Sequence, residues 1–356
     1  MRIVVTGATG NVGTAVLRRL RIEPDVTVVG LARRVPVPGT GEPYDGVQWH
    51  GVDLGDPACT GPLAGWLAGA DVVVHLAWQI QPSHHRARLR RTNVDGTRHL
   101  IEGMRAAGVT RLVYASSVGA YAPGPKDRTV DESWPVTGVP SSPYSVDKAA
   151  VEALLDDAVR EDPGLRVTRL RKGLVFQRDA GAEIVRYFLG PLVPVSLLRR
   201  GRLPVVPANP RLRVQVVHAD DAAQAYLLAA RAEATGTFNV VTGPVLDGPL
   251  LAAEFGGRAV AVPVPALRAL AAAAWRARLQ PTDPGWIDLA ASVPLLDATR
   301  ARTELGWQPA VDARSALRDM VGGMATGAGT GSAPMRGGEG PARRLLGGLP
   351  GHRDPA

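Results

Sequence analysis

Two side chains four residues apart, Tyr144 and Lys148 in the stretch Tyr144-Ser145-Val146-Asp147-Lys148, carry the strongest chemical signal in this chain. On a helix that spacing puts a phenol and an ammonium on one face. A free tyrosine ionises at about pH 10, so it works as acid or base on an alcohol or carbonyl only when its phenolate is stabilised. A neighbouring ammonium does that. The same spacing occurs in ordinary surface pairs, and the residue census sets this one apart. Of 41 lysines and arginines only Lys126, Lys148 and Lys172 are lysines. Arginine is the default cation here, so a lysine marks a place that needs a compact point charge rather than a planar fork. Lys172, in Arg171-Lys172-Gly173, reads first as a solvated loop lysine, with contact to an anionic substrate or the cofactor as the alternative.

A second constellation lies at the N-terminus, in Thr6-Gly7-Ala8-Thr9-Gly10-Asn11-Val12-Gly13. Glycines three apart let the backbone turn tightly and approach a pyrophosphate, which would rest on the free N–H groups of a helix start. The motif stands at the first strand-to-helix turn, where it carries most weight. Gly7, Thr9, Gly10, Asn11, Val12 and Gly13 are therefore the expected phosphate cradle of a dinucleotide. At the end of the second strand, about 20 residues on, an NAD site usually carries a carboxylate for the ribose hydroxyl. The sequence there is Gly30-Leu31-Ala32-Arg33-Arg34. Arg33 suits a 2′-phosphate and points to NADP, with NAD as the alternative. Asp53 could accept from the adenine amine or simply cap a turn. Ser117 of Ser116-Ser117 follows the fifth strand, where it could polarise a substrate oxygen toward Tyr144. Asn93 could hold a water or a backbone carbonyl in support of Lys148.

The elements that must place these groups alternate. Arg2–Val5, Val26–Leu31, Val47–Val52, Asp71–Leu76, Arg111–Ala115 and Arg166–Leu170 read as strands, most of them continuously apolar, as in a sheet buried on both faces. Between them Val12–Leu20, Pro62–Ala68, Arg86–Ala107 and Tyr144–Arg160 have helical patterns. This predicts an α/β doubly wound parallel Rossmann-type sheet over residues 1–175. Residues 176–325 read as a mixed segment that completes the sheet and forms a small substrate lobe. The Gly-, Pro- and Arg-rich stretch 326–356 reads as a disordered tail.

Composition narrows the class. The formal charge of +8 is spread along the chain, without the basic blocks and interleaved aromatics of a nucleic-acid binder. Cys59 is the single cysteine, which rules out an internal disulfide and a cysteine-built metal site, and no metal is expected. No segment reads as a leader or a membrane span, and a cytoplasmic protein is the expectation.

Taken together, these residues resemble the extended short-chain dehydrogenase/reductases, the NAD-dependent epimerase/dehydratase branch. The matching segments are Thr6–Gly13, Asp53-Leu54, His75-Leu76-Ala77, Asn93-Val94-Asp95-Gly96-Thr97, Ser116-Ser117, Tyr144–Lys148, Val217-His218-Ala219-Asp220-Asp221 and Leu305-Gly306-Trp307-Gln308-Pro309, in order over residues 1 to 322. The resemblance implies that Ser117, Tyr144 and Lys148 form a catalytic triad, and that Leu54, Leu76, Ala77 and Asn93 join the cofactor site. It allows a homodimer through the helices that carry Asn93 and Tyr144. Two departures concern the substrate. Leu174 stands where nucleotide-sugar enzymes of this family carry asparagine, and their Arg-Asp-Tyr segment is replaced by Val214-Gln215-Val216. The leading expectation is reversible carbonyl/alcohol hydride transfer on a small organic or sugar-like molecule. A nucleotide-sugar epimerase or dehydratase with tightly bound NAD is the alternative, and a non-catalytic dinucleotide-sensing scaffold is a third.

Overall fold

The apolar runs are buried on both faces because they become the inner strands of one parallel sheet. In the computed structural model, residues 1–80, 83–189, 204–232, 235–280 and 282–338 are described. The strands are β1 (Arg2–Thr6), β2 (Thr27–Ala32), β3 (Gln48–Gly51), β4 (Val72–His75), β5 (Arg111–Ser117), β6 (Thr129–Val130), β7 (Arg166–Lys172), β8 (Leu174–Phe176), β9 (Val205–Ala208), β10 (Val214–His218) and β11 (Gly236–Val240). Seven of them pair in the order β11-β7-β5-β4-β1-β2-β3, all parallel. The order reverses between β1 and β4, and ligands of open α/β sheets bind outside the carboxyl ends of the strands at such a switch point.

Alternation along the strands divides the core in two. Ile3, Val5, Val72, Val74 and Val113 face α1 (Asn11–Arg21) and the helix Ala219–Arg231. Val4, Val73, Leu112 and Tyr114 face the other way, onto Leu63 and Leu67 of α2 (Thr60–Leu67). The helical run predicted over Arg86–Ala107 is present, but it contains a wider turn. α3 (Arg86–Arg90) passes through a π-helical turn, Arg91–Asp95, into α4 (Gly96–Ala107). α5 (Pro143–Glu161) begins on Ser142, whose hydroxyl accepts from Ser145 N, with a proline in its first turn.

One buried ion pair fastens α5 to the sheet. Glu152 accepts from Arg171 Nε at 2.9 Å and Nη2 at 3.1 Å, and from the Ser116 hydroxyl. Burial alone would raise this carboxyl, but Arg171 and Arg169 outweigh it and hold the group below the usual value of 4.5. The stability it contributes is therefore complete above 4.5 and is lost as the pH falls through the lowered folded value. Glu152→Gln leaves Arg171 buried without its counter-charge. It should cost about 3 kcal/mol at neutral pH and flatten the acid limb of the unfolding curve, read by urea melts across pH.

The second half contributes one strand to the main sheet, β11, at its edge. Outside it β10 pairs with β8 on one side and with the strand Thr242–Leu246 on the other. The tail expectation fails for residues 327–338, while 339–356 lie outside the described residues. After the helix Ala313–Thr326 the chain turns back on itself, with Thr330 N donating to Met335 O and Gly338 N to Gly327 O. Ser332 and Met335 are completely buried, and the Ser332 hydroxyl donates to Thr9 O at 2.8 Å. Composition misled there because glycines that usually mark flexible chain instead allow close approach. A Cβ on Gly329 would lie 2.3 Å from Met335 O.

Candidate active site

The glycine loop is built by crowding. Gly7 has φ +66°, and a Cβ there would lie 2.6 Å from the Ala77 backbone at the end of β4. A Cβ on Gly13 would lie 2.4 Å from Gly7 O. Only glycine lets the loop, α1 and the turn after β4 meet this closely. No side chain caps α1. The Asn11 side chain is turned away from that duty, donating to Val175 O and accepting from Gln177 Nε2. The first amides of the helix are thus left for an anion, and the residues present fit a dinucleotide pyrophosphate.

This loop opens into a cleft of about 550 Å³ along the carboxyl ends of the strands. Gly7, Thr9, Gly10, Asn11, Val12, Gly13, Arg33, Leu54, Leu76, Ala77, Ser117, Tyr144 and Lys148 all line it. Two expected cofactor residues do not. Asp53 bends back so that Oδ1 accepts from Gly55 N at 2.9 Å, which is the turn cap that its sequence position also allowed. Asn93 spends its amide on the Gln79 backbone, accepting from Gln79 N at 2.7 Å and donating to Gln79 O at 3.1 Å. It shapes the loop that follows β4 and touches neither the cleft nor Lys148.

Tyr144 and Ser117 meet at the deep end. Gly119 makes room for them: a Cβ there would lie 2.8 Å from Tyr144 Cε1 and 3.4 Å from Ser117 Oγ. Ser117 Oγ accepts from Gly119 N and stands on the same side of Gly119 as the tyrosine ring. Burial pushes the Tyr144 phenol up to about 12, partly opposed by that serine. The group therefore stands protonated. Lys148 is buried below it, with Nζ donating to Ala115 O at 2.7 Å and lying 3.4 Å from the centroid of the Trp78 ring. Burial, and then the charge of Lys172, hold this ammonium well below its usual range.

Arg33 stands at the far end of the cleft, where burial lowers its pKa, and no carboxylate ends β2. His75 is a structural residue. Its Nδ1 pairs with Thr6 Oγ1 at 2.6 Å and its Nε2 with Thr97 Oγ1 at 3.0 Å, and burial takes it down to about 3.

Two features escaped the sequence, and a third, the placement of Lys172, is only its alternative reading. Trp286 packs against Tyr144 with ring centroids 5.0 Å apart and makes an edge contact with Phe188, walling the reactive end with aromatic rings. Asp283-Pro284-Gly285 before Trp286 is a helix-start signal that could have drawn attention to it. Pro334 of the C-terminal turn also lines the cleft, beside the glycine loop. Lys172 differs from its expected solvated position. It ends β7, only 7% exposed, with Nζ on Ser116 O at 2.8 Å. β7 runs two residues beyond its predicted end and carries the lysine inward.

A parallel sheet of this order, a glycine loop at its first turn and a Ser-Tyr-Lys cluster at the strand ends define an extended short-chain dehydrogenase/reductase. Residues 3–241 match the NAD dependent epimerase/dehydratase family, and the chain belongs to that family. A UDP-glucose 4-epimerase of Mycolicibacterium smegmatis is 30% identical over 323 residues, covering 87% of this chain and 94% of that protein. An uncharacterized protein of Mycobacterium tuberculosis is 29% identical over 325 residues, 90% of this chain. The chain spans only 30% of that relative's length. Among solved structures, the UDP-glucose 4-epimerase of Thermus thermophilus in complex with NAD superposes with a TM-score of 0.67 at 25% identity, covering 91% of this chain and 99% of that one. Among the described residues no helix is long and apolar enough to cross a membrane, and no cluster of His, Cys, Asp and Glu could hold a metal.

Proposed function

We propose that this protein oxidises and re-reduces a carbinol carbon of a sugar-like substrate in the manner of the epimerases and dehydratases, with its dinucleotide retained between turnovers. The observation that carries this reading is that Ser117, Tyr144 and Lys148 line the same cleft as the glycine loop. Ser117 orients the substrate oxygen. Tyr144 takes the hydroxyl proton as the carbonyl forms and returns it when the carbonyl is reduced, while Lys148 supplies the positive charge that makes the phenolate accessible. The nicotinamide supplies the hydride acceptor and donor. Gly7, Gly10 and Gly13 with the first turn of α1 would hold its pyrophosphate.

Two observations support retention of the cofactor and hydride return over net reduction. The M. smegmatis relative, similar over nearly its full length, is an epimerase. The C-terminal turn also packs on the glycine loop through Ser332 and Thr9, so an exchanging dinucleotide would have to pass that contact. This reverses the leading expectation from sequence. Incubation with UDP-glucose or UDP-galactose should interconvert the carbinol centre without consuming added cofactor. Stoichiometric consumption of added NADPH by a carbonyl substrate would sink the reading.

Net reduction with NADP is the second reading, and Arg33 favours it. Arg33→Ala should weaken a 2′-phosphorylated dinucleotide by about tenfold or more and leave NAD nearly untouched, as titrations of both would show. Equal effects on the two would remove the argument for NADP.

A further inference from the structure

We propose that Lys172 is a second buried cation at the reacting end of the cleft, and that it biases a bound nicotinamide toward the reduced form. The inference rests on the reading of this cleft as a nicotinamide site.

Lys172 stands at the carboxyl end of β7, paired in register with Ser117 on one side and Val240 on the other. It lines the same cleft as Ser117, Tyr144 and Lys148. The two lysines donate to successive carbonyls of β5, Lys148 to Ala115 O at 2.7 Å and Lys172 to Ser116 O at 2.8 Å. Among the described residues neither makes an ion pair. Glu152, the buried carboxylate whose charge reaches Lys148, is already bound by Arg171 and Arg169. Lys172 also faces the Tyr226 ring, 5.4 Å from Nζ, whose phenol burial holds well above its usual range. Asp147, whose charge also reaches Lys148, is paired with Arg90 at 3.4 Å, so among the described residues no carboxylate binds either lysine.

Such a site discriminates between the two states of the cofactor. The oxidised nicotinamide ring carries a positive charge and the reduced ring is neutral. The reacting ring must come within reach of Tyr144, and a fixed cation beside it in a water-poor cleft disfavours the charged state. Hydride transfer from substrate removes the ring's charge and relieves the repulsion. Lys172 therefore eases the oxidation half of the reaction and slows return of the hydride.

Burial brings Lys172 down to about 7 and raises Glu183, another cleft-lining group, to about 7. At about pH 6 the lysine is charged and the glutamate neutral, so the test belongs there. The full-length protein loaded with dinucleotide is equilibrated with a fixed external redox couple, and the bound reduced fraction is read from its absorbance. Lys172→Met should move the ratio of reduced to oxidised cofactor about tenfold toward oxidised, and Lys172→Arg should keep it near the native value. Lys172→Gln, also neutral, serves if the methionine variant does not fold. An unchanged ratio in the neutral variants, or an equal shift in Lys172→Arg, overturns the inference. A protein that takes up neither form of the dinucleotide instead overturns the nicotinamide reading of the cleft.

Discussion

Replacing Tyr144 with phenylalanine should lower turnover by about a hundredfold to ten-thousandfold and leave dinucleotide binding within about twofold of native. The substitution removes one hydroxyl and keeps the ring, which packs against Trp78 and Trp286 with centroids 5.9 and 5.0 Å away. Packing is preserved, so a fall in rate reports the lost proton path. That hydroxyl belongs to a ring that lines the cleft with Ser117, between Trp78 and Trp286. Steady-state rates and a cofactor titration on the same preparation separate the two effects. Turnover within tenfold of native would remove Tyr144 from the mechanism, and Ser117 with it.

Gly13→Val should be nearly as damaging, through binding rather than chemistry. A Cβ at this position would meet backbone atoms, 2.4 Å from Gly7 O and 2.6 Å from Ala8 C. Neither atom can rotate away as a side chain could. The loop must open from α1, which costs about 1–3 kcal/mol of packing and displaces the amides that would receive the pyrophosphate. Dinucleotide affinity should drop about a hundredfold, with the melting temperature lower even without cofactor. Normal affinity in the valine variant would show that the loop is a tight turn and nothing more.

What the sequence disclosed follows from where the determinants are local. The glycine loop, the strand alternation and the Tyr144–Lys148 spacing lie within short windows, and each predicts its own structure. The strand runs of β1, β4 and β5 were legible because burial on both faces demands continuous apolar residues. Distant packing was not legible. Nothing near Lys172 says that β7 continues past Leu170, since Arg171 and Lys172 look like an exit from the sheet. They stay inside because Glu152, nineteen positions earlier, neutralises Arg171, and Ser116 O accepts from Lys172. Asn93 does hold a backbone carbonyl, as its position suggested, but that carbonyl is Gln79 O, fourteen residues away, which no spacing rule addresses. The segment 327–338 looked like loose tail because Thr330, Met335 and Ser332, set among its glycines, find their partners Tyr44, Thr14 and Thr9 far upstream.

The central claim, a carbinol-oxidising enzyme that keeps its dinucleotide, is tested most directly by identifying the nucleotide that purified protein carries before any is added. Denaturing the protein and resolving the released nucleotide should yield NAD close to one per chain, retained through dialysis. Protein that emerges empty, or that carries NADP and exchanges it freely, would contradict the account.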